Sequence, residues 1–310
     1  MRILVTGGAG YIGSVLVPML LSKGYEVIVV DNLMYRQDTL LDCCHYVKTF
    51  SFIEGDARDE KLIDKLTRDI NFIIPLACIV GARACDRDPI AAKTINLDAI
   101  KMLMRKRGRG HYVIFPNTNS GYGIGQNDIY CTEESPLNPQ TLYATLKVEA
   151  EKFVLRCGNT ICLRLATVFG ISPRMRTDLL VNEMVLMAVN DYPVKIYEPH
   201  AKRNYIHVRD VARAFIHCMD NFRLMKDQVY NLGLSDANLS KWELCQEIQK
   251  QIPKFTFFEG DGEDPDKRNY IVSNDKIEKT GFRPEHSLQD GIKELINGYR
   301  IIRRNKFSNS

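Results

Sequence analysis

A glycine-rich turn near the start constrains this chain more than any other feature. Arg2-Ile3-Leu4-Val5 is a short apolar run that predicts a strand, and Gly7-Gly8-Ala9-Gly10-Tyr11-Ile12-Gly13 follows it directly. Val15 to Leu21 is apolar at helical spacing and runs out near Gly24, with Pro18 inside it as a candidate kink. Val27-Ile28-Val29-Val30 predicts a second strand that ends at Asp31. Strand, glycine loop, helix and strand in that order are the context in which spaced glycines cradle a diphosphate. Gly7 permits the tight turn, Gly10 lets the backbone approach a pyrophosphate, and Gly13 lets the helix pack close to the sheet. The pyrophosphate then meets the positive end of the helix.

Asp31 refines the expectation. An acid at the end of the second strand hydrogen-bonds the adenosine ribose of NAD and repels the 2′-phosphate of NADP. Its neighbour Asn32 is uncharged, and Arg36 is the nearest cation that could favour the phosphate. The cofactor expected is NAD. A domain binding some other phosphate is the alternative.

Further apolar runs recur at Phe52-Ile53, Phe72 to Leu76, Tyr112 to Phe115 and Ile161 to Leu165. They are nearly all apolar rather than alternating, as in a parallel sheet covered by helices on both faces. The expected fold is α/β, a Rossmann doubly wound parallel sheet over residues 1–170. Beyond residue 170 the pattern breaks up. Ile171 to Arg176 reads as a loop, and Leu179 to Val189 as a helix. Val194 to Tyr197, Tyr205 to Val208 and Phe255 to Phe258 read as short strands. Helices are expected from Val211 to Met219 and from Leu288 to Ile302. Ser240-Lys241-Trp242-Glu243 is a capping box that starts another. Residues 171–310 therefore read as a smaller mixed lobe, interleaved with the first domain.

Composition excludes several classes. With 45% hydrophobic and 26% charged residues the chain is neither disordered nor fibrous. A net charge of +4 is too small for a nucleic-acid protein. The basic stretch Lys101, Arg105, Lys106, Arg107, Arg109 reads as the solvated end of a helix stopped by Gly108 and Gly110. The nine cysteines form no Cys-x-x-Cys pair, so no metal is expected. Nothing approaches the about 18 uninterrupted apolar residues of a membrane span, and no signal peptide is evident. A reducing cytoplasm is the expected compartment.

Tyr143-Ala144-Thr145-Leu146-Lys147 carries the chemistry. It precedes a helical run, so Tyr143 and Lys147 lie one turn apart on one face. A phenol ionises near pH 10, about three units too high for a base at neutral pH. A nearby ammonium stabilises the phenolate. The tyrosine can then take a hydroxyl proton while a hydride leaves to nicotinamide.

With these residues in hand, the sequence resembles the extended short-chain dehydrogenase/reductase family, the nucleotide-sugar epimerases and dehydratases. The likeness runs through Thr6 to Gly13, Asp31-Asn32, Gly55-Asp56, Leu76-Ala77, Asn96, Thr118 with Tyr122-Gly123, Tyr143 with Lys147, and Arg203 to Asp210. The resemblance implies that Thr118 completes the catalytic set by hydrogen-bonding the reacting sugar hydroxyl. It puts Asp56 and Ala57 beside the adenine, Tyr11 and Ile12 in the phosphate loop, Leu76 and Ala77 against the cofactor, and Asn96 near the nicotinamide. It implies a substrate that is a sugar on a nucleoside diphosphate, GDP- or UDP-linked. That substrate would be held by Asn119, Ser120, Thr167, Asn182, Arg203 and Arg268. His207 reads as structural. A homodimer is implied through the helices around Leu97–Lys106 and Tyr143–Leu155, where Met102, Phe153 and Val154 are apolar.

Members of this family begin by oxidising a sugar carbon, usually carbon 4. The 4,6-dehydratases carry an Asp-Glu pair right after the catalytic threonine; here Asn119 and Ser120 stand there, which argues against dehydration. A 4-oxidase and a 4-epimerase remain. The runs Asn117 to Gly125, Ile171 to Arg176 and Asp264-Pro265-Asp266-Lys267-Arg268 look most like the bacterial GDP-heptose 4-dehydrogenases. UDP-galactose 4-epimerases usually have asparagine at the position of Thr167. A non-catalytic NAD-binding protein on the same fold would lose the Tyr143/Lys147 pair, and both are present.

Overall fold

The computed structural model describes residues 1–36, 38–108, 110–125, 129–262 and 268–302. Arg109 and the segment 263–267, including Asp264, Asp266 and Lys267, lie outside the described residues.

Seven strands make the central sheet: Arg2–Thr6, Glu26–Asp31, Phe50–Glu54, Phe72–Pro75, Tyr112–Thr118, Thr160–Leu165 and Gln228–Leu232. Numbered first to seventh along the chain, they lie in the order seventh, sixth, fifth, fourth, first, second, third. Every pairing is parallel. Strand order reverses beside the first strand, and such a reversal opens a crevice at the carboxyl ends of the strands. Ile3 and Val5 belong to one hydrophobic cluster and Leu4 to another; Val29 and Ile28 divide the same way. Both faces of the sheet are thus buried, which is why its strands read as unbroken apolar runs.

Helices flank both faces. Gly13–Ser22 runs through Pro18 without a break, and Val208–Asp220 packs against it. On the other face lie Glu60–Leu66, Ala99–Lys106 and Leu142–Cys157. The helix Val208–Asp220 and the seventh strand both come from beyond residue 170, so the chain returns to the first sheet. The seventh strand is absent from the sequence reading. Asn231 interrupts its apolar run, yet that residue is fully buried and accepts the Tyr122 hydroxyl at 2.6 Å.

The smaller lobe holds a three-stranded sheet, with Lys202–His207 between Thr167–Phe169 and Asn238–Ser240. The helices Leu180–Val189, Lys241–Gln251 and Leu288–Ile301 pack together beside it. The capping box forms: Ser240 Oγ accepts Glu243 N–H at 3.2 Å, and Glu243 Oε2 accepts Ser240 N–H at 2.7 Å. In the basic stretch, Lys101 pairs with Glu149 at 2.7 Å and Lys106 with Glu60 at 2.6 Å. Arg107 donates to the His111 carbonyl at 2.8 Å. No helix among the described residues is long and apolar enough to cross a membrane. All nine cysteines are free thiols.

Candidate active site

The crevice at the strand reversal is lined by Gly7, Gly10, Asp31, Asn32, Asp56, Ala57, Leu76 and Ala77. The backbone builds this end. Gly7 N–H donates to the Val30 carbonyl at 2.7 Å, and Leu76 N–H to the Thr6 carbonyl at 2.8 Å, tying the ends of three strands together. Gly7 has a φ of +71°, and a Cβ there would strike the Ala77 backbone. A Cβ on Gly13 would strike the Gly8 backbone, so helix and loop meet only because both are bare. Asp31 Oδ2 accepts Ala9 N–H and Oδ1 accepts Leu33 N–H, both at 2.9 Å. The carboxylate is fixed at the mouth of the crevice with lone pairs left for a ribose. Asp56 pairs with Arg58, which holds its carboxyl below the ordinary range.

Four of the expected cofactor residues, and Asn182 of the expected substrate residues, sit within the protein's own helix and hydrogen-bond framework. Tyr11 is buried and donates its hydroxyl to the Gly170 carbonyl at 2.6 Å, which ties the glycine loop to the second lobe. Ile12 stands at the N-cap of the first helix and Gly13 is its first residue. Asn96 is buried, with its amide clamped on the Ile79 backbone: Oδ1 accepts Ile79 N–H and Nδ2 donates to Ile79 O, both at 2.8 Å. It shapes the segment after the fourth strand. Asn182 is fully buried and binds Gly170 N–H at 3.0 Å, the Arg176 carbonyl at 2.8 Å and the Tyr11 hydroxyl at 3.2 Å. Its amide holds loops together.

Sequence reasoning gave no role to Arg174 and Tyr35. Both line the crevice, and the Arg174 guanidinium lies 3.9 Å from the centre of the Tyr35 ring. Arg174 N–H meets Ser14 Oγ at 3.3 Å, so this loop is anchored on the helix that follows the glycines. The unusual run Ile171 to Arg176 was the available signal.

Tyr143 is the second residue of the helix Leu142–Cys157, whose first turn is capped by Thr141 Oγ1 accepting Ala144 N–H at 3.2 Å. The positive end of a helix favours an anion there. Burial pushes the Tyr143 phenol well above its ordinary value, with the fields of Cys78 and Cys85 adding; Arg176 and Arg268 pull it down. Lys147 is buried, donates from Nζ to the Pro116 carbonyl at 2.6 Å and lies 4.2 Å from the centre of the Phe115 ring. Burial lowers its pKa. The arginines were not part of the expected electrostatics of the tyrosine.

The end of the fifth strand lies beside this helix. Thr118 Oγ1 donates to Ser120 Oγ at 2.9 Å and accepts Ser120 N–H at 3.1 Å. Arg268 Nη1 donates to Ser120 Oγ at 2.7 Å. Asn119 is buried, and neither of its amide atoms has a partner among the described residues. Thr167 Oγ1 is likewise buried without one, and Arg203 is buried on the neighbouring strand. Underneath runs an internal network. Arg164 and Glu151 pair at 2.7 Å with side chains 5% and 3% exposed. Glu151 also accepts the Asn117 amide, and Arg164 donates to the Tyr122 hydroxyl at 2.9 Å. It fixes the strand end that carries Thr118 against the helix that carries Tyr143.

A Rossmann sheet with a glycine-built dinucleotide crevice and a Tyr-x-x-x-Lys helix beside it defines an oxidoreductase-type nucleotide-binding enzyme. Residues 3–233 match the model of the NAD dependent epimerase/dehydratase family, and the chain belongs to that family. It is 26% identical to a UDP-glucose 4-epimerase from Lactobacillus helveticus, over 94% of each chain. It is 27% identical to a dTDP-glucose 4,6-dehydratase from Streptomyces niveus, covering 97% of this chain and 93% of that one. A UDP-glucose 4-epimerase from Thermus thermophilus, solved in complex with NAD, superposes with a TM-score of 0.82 at 26% identity, over 97% and 99% of the two chains. The chain is therefore an NAD-dependent enzyme of the nucleotide-sugar epimerase/dehydratase class. The crevice fits that cofactor: a diphosphate can approach Gly7 and Gly10, where a side chain would fill the cradle.

Proposed function

We propose that the protein oxidises carbon 4 of the sugar of a nucleoside diphosphate sugar to a ketone, as a dehydrogenase of GDP-linked heptose. The observation that carries the reading is the meeting of Tyr143, the Thr118–Ser120 hydroxyls and the Arg268 guanidinium beside the NAD crevice. Bound NAD supplies the hydride acceptor. Tyr143 takes the proton of the carbon-4 hydroxyl, helped by the helix terminus and by Arg176 and Arg268. Lys147 braces the turn that leads into Thr118 through the Pro116 carbonyl. Arg203 and Arg268 hold the diphosphate by charge-assisted bonds. Thr167 and Asn119 offer buried polar atoms to the substrate. Asn119 and Ser120 supply no acid or base for eliminating water. The GDP-heptose assignment rests on the resemblance of Asn117 to Gly125 and Ile171 to Arg176.

The second reading is a 4-epimerase, favoured by the names of the relatives from Lactobacillus helveticus and Thermus thermophilus. A cytoplasmic homodimer completes the proposal. Met102 and Phe153 are half-buried on adjacent helices and suit a dimer contact, whereas Val154 is core.

The test is incubation with NAD and a panel of GDP-, UDP-, dTDP- and CDP-sugars, following NADH absorbance and product mass. Loss of two hydrogens from a GDP-heptose supports the dehydrogenase. Unchanged mass with inverted carbon 4 replaces it by the epimerase. Loss of water, or no response to any sugar, overturns both.

A further inference from the structure

Of the described residues that line the cofactor crevice, Arg174 is the one contributed by the second lobe. Its main chain is held close to the glycine loop. Ser172 is buried and donates from Oγ to the Tyr11 carbonyl at 2.7 Å, with Ser14 Oγ 2.9 Å away. Arg174 N–H meets Ser14 Oγ at 3.3 Å, and the Arg176 carbonyl accepts the Asn182 amide at 2.8 Å. Upstream, Ile171 N–H donates to Glu294 Oε2 at 3.1 Å. Ser14 is the second residue of the helix Gly13–Ser22. Arg174 therefore starts from the end of that helix at which a diphosphate is favoured.

The side chain then reaches the loop that follows the second strand. Its guanidinium carbon lies 3.9 Å from the centre of the Tyr35 ring. Tyr35 is presented by a tight turn in which Arg36 N–H donates to the Leu33 carbonyl at 2.8 Å, and Asp31 holds Leu33 N–H. Stacking on a ring occupies one face of a guanidinium and leaves the N–H groups in its plane available. Among the described residues none of the side-chain N–H groups of Arg174 has a hydrogen-bond or ion-pair partner, and Nε is shut off from solvent. Burial lowers the Arg174 pKa and the charge of Arg176 works the same way, against the fields of Tyr35, Asp178 and Asp31. A planar fork with free N–H groups, short of a counter-charge, suits a diphosphate.

We propose that Arg174 binds the diphosphate of NAD, with the Tyr35 ring holding its guanidinium in place, so that the second lobe completes the cofactor crevice with one charged side chain. The glycine loop offers the diphosphate bare backbone, and Arg174 adds a fixed cation. Arg36, the other arginine in the lining, is exposed, so solvent and salt screen its charge. No step of the oxidation passes through Arg174, and its task is the same whichever sugar is the substrate.

The test measures affinity rather than turnover. Full-length wild type, Arg174→Ala, Arg174→Lys and Tyr35→Ala, freed of carried-over nucleotide, are titrated calorimetrically with NAD and with ADP-ribose, which has the diphosphate without nicotinamide. GDP and UDP are titrated onto the same proteins at saturating NAD. Melting temperatures without nucleotide establish that each variant is folded. Loss of a charge-assisted contact weakens binding by about 10- to 100-fold. Arg174→Ala should show that loss with NAD and ADP-ribose alike, while GDP and UDP bind as they do to the wild type. Arg174→Lys should fall between, because it keeps the charge and loses the planar fork. Tyr35→Ala should lose less than Arg174→Ala, since it removes only the ring that steadies the guanidinium. Wild-type affinity of Arg174→Ala for ADP-ribose overturns the proposal, and so does a loss confined to NAD, which would put the contact at the nicotinamide. A loss on GDP or UDP with ADP-ribose unaffected assigns Arg174 to the substrate's diphosphate and overturns it too. Failure to oxidise any nucleotide sugar, with the ADP-ribose loss observed, would sink the carbon-4 reading and leave this proposal standing.

Discussion

The two sides of the candidate active site are built from different material. On the cofactor side the chain offers backbone: bare glycines, strand ends and amide groups whose hydrogen bonds are already made within the protein. On the substrate side it offers side chains, and several are buried without a partner among the described residues. Both amide atoms of Asn119, Oγ1 of Thr167 and the hydroxyl of Tyr205 are in that state. A buried polar group without a partner costs about 1–3 kcal/mol. The cofactor side is thus a finished mould that any NAD-binding relative could share. The substrate side holds polar atoms that a particular sugar nucleotide would satisfy, so identity of substrate is written there.

The largest expected effect falls on the substrate side. Tyr143→Phe removes the base and lowers carbon-4 oxidation by about 10³-fold. NAD affinity, measured by fluorescence titration, stays near wild type, because the phenol oxygen has no part in the glycine cradle. The same residue sets the pH response. Burial raises its pKa, so near neutrality only a small fraction is ionised, and that fraction grows with pH. kcat/KM for oxidation should therefore rise from neutral into alkaline pH. A flat profile would show that another group takes the proton.

The frame beneath the substrate side comes next. Arg164→Met leaves Glu151 as a lone buried charge and should cost about 3–5 kcal/mol of stability by urea unfolding. The double change to Met at Arg164 and Leu at Glu151 should recover much of that loss. If the single variant is as stable as the wild type, the network does not hold the strand end.

Gly7→Val tests the cofactor side. A side chain there meets the Ala77 backbone at a positive φ. Strain of about 1–3 kcal/mol should appear as a lower melting temperature and weaker NAD binding. The smallest effect belongs to the surface. Lys101→Met breaks the ion pair to Glu149 and should change stability by about 1 kcal/mol or less. A larger loss would mean that this helix face carries a contact beyond the pair.

The same contrast explains what the sequence made legible. The glycine spacing, Asp31 and the apolar runs announce the cofactor side, because bare backbone and doubly covered strands leave a direct mark on residue type. Asp31, Asp56, Ala57, Leu76 and Ala77 all line the crevice as their positions suggest. The seventh strand was hidden because a buried network places a polar Asn231 where an apolar residue is expected. Asn96 and Asn182 read as ligand contacts, and in the structure their amides bond backbone at Ile79 and Gly170. An asparagine that holds a loop and one that holds a ligand look alike in one sequence. The influence of Arg176 and Arg268 on Tyr143 was equally invisible, since it depends on residues far apart in sequence coming together.

The central claim is that Tyr143 drives oxidation at carbon 4, and isotope transfer tests it most directly. Nucleotide sugars deuterated at carbon 4 would be mixed with enzyme and NAD under single-turnover conditions, and the recovered nicotinamide cofactor weighed by mass spectrometry. The account predicts deuterium on the reduced cofactor with wild type and none with Tyr143→Phe. Deuterium retained on the sugar while product forms would contradict it.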